Sequence, residues 1–110
     1  MKSTPLPYNE AERLAALRSY HILDTPREIA FDSITKLASY LCDTPISLVT
    51  LVDADRLWFK SSSGIEITEL PRDGSFCAHG ILQDDILIIS DTLEDKRFCE
   101  SPLVCGPPNL

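Results

Sequence analysis

The sequence predicts an α+β fold with an antiparallel sheet, on three observations. Apolar residues recur at helical spacing as far as Leu41, the period drops to two at Ile46, and turn residues then separate short extended runs. Helices therefore come first and a hairpin follows. Asn9 with Glu12 fits a capping box, and Leu14 and Leu17 with the small Ala11 and Ala15 form a short stripe up to about Tyr20, which predicts a first helix. For the second helix, Thr25 is the expected cap, Pro26 the first-turn residue and Glu28 the capping-box partner. Ala30, Ile34, Leu37 and Leu41 follow at helical spacing, with Phe31 and Ala38 alongside.

After Asp43-Thr44-Pro45 the run Ile46 to Val52 is rich in β-branched residues. Ile46, Leu48, Thr50 and Val52 share one face, and Ser47, Val49 and Leu51 the other. Both faces are mostly apolar, so this strand is expected to be central and covered on two sides. Asp53-Ala54-Asp55-Arg56 supplies turn chemistry, and Leu57 to Ser62 resumes the extended character, which predicts an antiparallel hairpin. Ser75 caps a predicted short helix over Phe76 to Leu82, and Ile86 to Ile89 reads as a third strand.

The chain has 110 residues, 44% of them apolar and 25% charged, an ordinary mixture for one globular domain. Met1 to Tyr8, with two prolines and no periodicity, reads as a mobile arm or linker ahead of a domain over residues 9–110. Ten Lys plus Arg against seventeen Asp plus Glu leave a net charge of -7, with no basic block to follow a phosphate backbone, so nucleic acid is not an expected partner. Apolar stretches such as Ile86-Leu87-Ile88-Ile89 are far too short to span a bilayer, and no membrane insertion is expected. The first residues lack the apolar stretch of a signal peptide, so a cytoplasmic location is expected. Cys42, Cys77, Cys99 and Cys105 are then free thiols.

Chemistry is sparse. Cys77 and His79 stand two residues apart, which puts them on different sides of a helix and too far apart along a strand for a direct hydrogen bond, so they form no local dyad. In the first turn of a helix Cys77 could still gain thiolate character from the free N–H groups there. No C-x-x-C or H-x-x-x-H pattern suggests a metal, and Asp53/Asp55 and Asp84/Asp85 sit in predicted turns, where Asp serves local hydrogen bonding. The glycines are isolated, which excludes a phosphate-binding loop. Trp58 and Phe59 must face opposite sides of their strand. In the stretch Asp91 to Phe98, charge pairing within a solvated loop accounts for Lys96 and Arg97.

Several phrases together resemble one family: Asn9-Glu10-Ala11-Glu12-Arg13-Leu14, Ile22-Leu23-Asp24-Thr25-Pro26, Phe31-Asp32-Ser33-Ile34 and the run from Pro45 to Asp53. Trp58-Phe59-Lys60-Ser61, Ser75-Phe76-Cys77-Ala78-His79, and Asp91-Thr92 with Asp95-Lys96-Arg97-Phe98 continue it in the same order. The chain is similar to the GAF sensor domains at the N-terminal side of bacterial histidine kinases and diguanylate cyclases. The resemblance implies a sheet of about six antiparallel strands, with the two N-terminal helices on one face and a ligand pocket on the other. It also implies that further strands and a closing helix follow the Gly106-Pro107-Pro108 loop, so that the stretch in hand is a partial domain, of marginal stability or prone to pair its open edge with another copy.

By the same resemblance the chain is a sensory or regulatory domain without catalysis of its own, binding a small molecule or mediating dimerisation. It would act as a homodimer on an output domain, a kinase or cyclase, in a two-component or related signalling protein. The ligand is expected beside the Ser75–His79 segment, with Phe76, Cys77, His79 and Trp58 as candidate contacts and no cofactor specified. Bilin-binding relatives carry a Cys directly followed by His, whereas Ala78 separates Cys77 from His79, so no covalent chromophore is expected. The alternative is a thiol-dependent free methionine sulfoxide reductase using Cys77 and Cys99.

Overall fold

The computed structural model describes residues 4–106 and 109–110, and it has the α+β architecture. In chain order the elements are α1 (Glu10–Ser19), α2 (Ile29–Cys42), β1 (Ser47–Val52), β2 (Arg56–Ser63), β3 (Glu69–Pro71), α3 (Phe76–Gly80) and α4 (Pro102–Cys105). Among the described residues the sheet has three antiparallel strands in the order β1-β2-β3. No helix among these residues is long and apolar enough to cross a membrane.

The hairpin forms with the expected alternation. Leu48, Thr50 and Val52 lie opposite Ser62, Phe59 and Leu57, and Val49 and Leu51 lie opposite Ser61 and Trp58. Val52, Leu57 and Phe59 make the buried cluster of the first face, with Leu48, Ile67, Leu70, Cys77 and Ile81 packed against it. Between Val49 and Thr50 the register slips, because β2 carries one extra residue, Lys60, between the partners Phe59 and Ser61. This bulge turns two successive residues toward α2. Lys60 Nζ donates to Thr25 Oγ1 at 2.8 Å and Pro26 O at 2.6 Å, pairs with Glu28 at 2.6 Å and lies 5.6 Å from the centre of the Phe31 ring. Ser61 donates to Asp32 Oδ1 at 2.5 Å, beside Thr35.

This arrangement corrects the start of the second helix. Thr25 does not cap it: its hydroxyl bonds back to Ile22 O and receives the Lys60 ammonium, the chain stays non-helical through an extended Glu28, and α2 begins at Ile29. A buried lysine, 1% exposed, needs those oxygens more than the helix needs its cap. α2 meets the sheet through Phe31, Asp32 and Thr35, with Ala38 half-buried alongside, while Ile34, Leu37 and Leu41 are 58, 56 and 70% exposed. Asn9 also makes no side-chain cap, although α1 begins beside it as expected.

Two strand expectations are overturned. Among the described residues β1 is an edge strand and β2 the central one, since β1 pairs with β2 alone. Ile86 to Ile89 joins no ladder among the described residues, and Ile86 and Ile88 are 86 and 78% exposed. A strand exists through its partner, and alternating apolar residues supply the shape without the hydrogen bonds.

α1 has no buried residue and is fastened by charge. Arg72, almost fully buried, and Arg13 both grip the Glu10 carboxylate, at 2.5–3.1 Å and 2.8–3.0 Å. The same two guanidinium groups donate to the β1–β2 turn: Arg13 to Val52 O, and Arg72 to Asp53 O and Ala54 O. Residues 1–3 of the expected arm lie outside the described residues; Thr4, from the same arm, accepts a hydrogen bond from Gly74 N at 2.9 Å and so is tied to the domain.

Candidate functional site

The face of the sheet opposite α2 is lined by Leu48, Leu57 and Phe59, because alternation sends these residues to one side. Above them α3 lays Phe76 and Cys77 across the sheet. Ser75 sets its start: its backbone is extended and its Oγ accepts from Ala78 N at 3.0 Å, the predicted cap. Ile46, Ile65, Ile67, Leu70, Leu103 and Leu110 complete an apolar cavity of about 80 Å³. Next to it lies a groove of about 230 Å³ lined by Pro71, Asp73, Gly74, Ser75, Ser101 and Pro102. The two share Leu70 and Leu103 as a common wall. The cavity alone is smaller than the ~300–1,000 Å³ of typical small-molecule sites, and the groove beside it comes nearer to that range.

The electrostatics of the site are plain. The hydroxyls of Ser75 and Ser101 are both occupied as helix caps, by Ala78 N and Leu103 N, and Asp73 is the charged residue among those that line the groove. One of the free N–H groups expected in the first turn of α3 is thus already satisfied. Cys77 does not gain thiolate character. Burial pushes its thiol up, and a hydrogen bond with the Thr50 side chain offsets this only in part. A helix of five residues has too little dipole to reverse that cost.

Of the four candidate contacts the structure brings Phe76 and Cys77 to the cavity and leaves two elsewhere. His79 points Nδ1 at Ser75 O, 3.2 Å away, and sets its ring edge-on to Phe98, with centroids 4.9 Å apart. Phe76 packs on the same Phe98 ring at 4.7 Å. Phe98, fully buried, is therefore clamped between two residues of α3 and holds the following segment against the site. Trp58 is buried, and the alternation that sends Leu57 and Phe59 into the cavity sends it to the other face. Arg97 pairs with Asp95 at 2.7 Å, the local charge pairing expected for that loop.

Sequence reasoning missed Leu70 and Leu103, the shared wall. Both stand beside a proline, Leu70 alone in Glu69-Leu70-Pro71 and Leu103 in the short run Leu103-Val104-Cys105, and so few apolar residues carry no periodic signal. Among the described residues no group of three or more His, Cys, Asp or Glu side chains converges as metal ligands would.

No family model matches the chain. Over all 110 residues it is 34% identical to a cyclic di-GMP phosphodiesterase of Pseudomonas aeruginosa, and it spans 19% of the length of that protein.

Proposed function

We propose that this chain is a regulatory domain of the GAF type, which binds a small, largely apolar molecule between its sheet and α3 and passes the occupancy to a separate output domain. The observation that carries the reading is the cavity and the adjoining groove on either side of Leu70 and Leu103, two largely apolar hollows with one acidic residue, Asp73, in the lining of the groove. A ligand with an apolar body and a hydrogen-bond donor or positive charge at one end fits that lining. A signalling role is supported by the match to one segment of a cyclic di-GMP phosphodiesterase, and the output domain in this reading is an enzyme of cyclic-dinucleotide turnover or a kinase. The raised thiol of Cys77 favours a binding role over the thiol-dependent reductase, whose nucleophile needs thiolate. Native mass spectrometry of the purified chain tests the reading. A retained small molecule, lost in Leu70→Trp, is expected. A bare chain whose melting temperature is unmoved by a library of small apolar amines would overturn it.

A second reading, association of two copies, is favoured by the exposed stripe of Ile34, Leu37 and Leu41 and by the unpaired edge of β1. Sedimentation over a hundredfold concentration range distinguishes it, since Leu37→Lys shifts a helix-mediated dimer to monomer and leaves an edge-paired one intact.

A further inference from the structure

Four cysteines are free, and two of them meet. The thiol of Cys105, exposed at the end of α4, donates to the carbonyl oxygen of Cys99 at 2.9 Å. By standard backbone dimensions a carbonyl oxygen lies about 2.4 Å from its own Cα, so the Cys105 sulfur is within about 5.3 Å of the Cys99 Cα. Closure to bonding distance then takes a rotation about χ1 at Cys99 and an inward shift of the exposed Cys105 side chain. Cys99 itself is half-buried beside Phe98, whereas Cys77 lines the apolar cavity and Cys42 ends α2.

We propose that Cys99 and Cys105 are a peroxide-responsive dithiol that closes into an intramolecular disulfide across α4. The exposed Cys105 thiolate attacks the O–O bond of a hydroperoxide, which gives a sulfenic acid at Cys105 and releases water or an alcohol once the departing oxygen takes up a proton. Cys99 then attacks that sulfur; the S–O bond breaks, the S–S bond forms and a water leaves with the Cys99 proton. In total two thiols lose two electrons and two protons, and the peroxide is reduced by two electrons. A thiol reductant reverses the step by exchange. Ser101 N and O and Gly106 N already hold this turn together, through Phe98 O, Cys105 N and Pro102 O. The disulfide would add a covalent strap across the turn that carries Leu103, the wall between cavity and groove.

Trypsin cuts after Arg97, so both cysteines fall in the terminal peptide that starts at Phe98. The Cys42→Ser/Cys77→Ser variant, treated with hydrogen peroxide at low protein concentration and then alkylated in denaturant, should yield that peptide unalkylated and lighter by two hydrogen atoms. Cys99→Ser should instead leave a sulfenic acid at Cys105 that dimedone captures. Closure in the folded protein should run about tenfold faster than in the urea-unfolded chain, because the fold raises the effective concentration of the two thiols. A peptide that keeps both thiols, a product linked between chains, or equal rates in the folded and unfolded states would each overturn the proposal.

Discussion

Arg72 and Glu10 are separated by 62 residues, and their side chains meet through two hydrogen bonds, 2.5 and 3.1 Å long. The pair joins the first helix to the segment that leads into α3. Because Arg72 also donates to the β1–β2 turn, one guanidinium holds three parts of the chain.

Removing the carboxylate alone leaves Arg72 buried and without its counter-charge. Glu10→Gln should destabilise the domain by about 2–4 kcal/mol in urea denaturation. The double variant Glu10→Leu/Arg72→Met should cost less than the two single changes added together, because it removes the stranded charge along with its partner.

Acid should release the same latch. Hydrogen bonds from Arg72, and then Arg13, hold the Glu10 carboxyl down at about 2, from the usual 4.5. A folded-state pKa below the unfolded one gives stability that is complete above the unfolded value and is lost as pH falls toward the folded one. Stability should therefore drop by about 1–2 kcal/mol between about pH 5 and pH 2 beyond what Glu10→Gln loses over the same range. Urea titrations of both proteins at several pH values read the difference directly.

Gly64 is exposed, yet it should tolerate no side chain. Its φ is +85°, and a Cβ there would lie 1.8 Å from the carbonyl oxygen of Pro45. Gly64→Ala should cost about 2–4 kcal/mol, far more than a typical surface change. An unfolding midpoint equal to that of the wild type would show that the loop before β1 gives way freely.

Co-expression with bilin-synthesising enzymes should leave the protein colourless. Cys77 has a raised thiol in an apolar cavity of about 80 Å³, and Ala78 separates it from His79. A coloured band that survives a denaturing gel is the contrary result.

The parts of the fold legible in the sequence were those fixed by neighbours in the chain. The two faces of Ile46 to Val52, the opposed directions of Trp58 and Phe59, and the Ser75 cap all follow from local periodicity or a single turn of helix. What escaped was decided by distant partners. Thr25 had every local mark of a cap and was taken by Lys60, 35 residues away. Ile86 to Ile89 had the composition of a strand and, among the described residues, no ladder to join. Half of the expected contacts reached the cavity, since alternation places Phe59 rather than Trp58 there and Phe98 draws His79 aside.

The extra residue in β2 also bears on how relatives are compared. Because Lys60 and Ser61 both turn toward α2, inside-outside parity reverses at that point, and Ser62 returns to the side of Phe59. A homologue without the insertion would follow the same chain path with one residue fewer between the positions of Phe59 and Ser61. An alignment drawn through this strand without a gap would then match its cavity-lining positions to residues that face α2, and an apparent polar-for-apolar exchange there would be an error of counting rather than a change in chemistry.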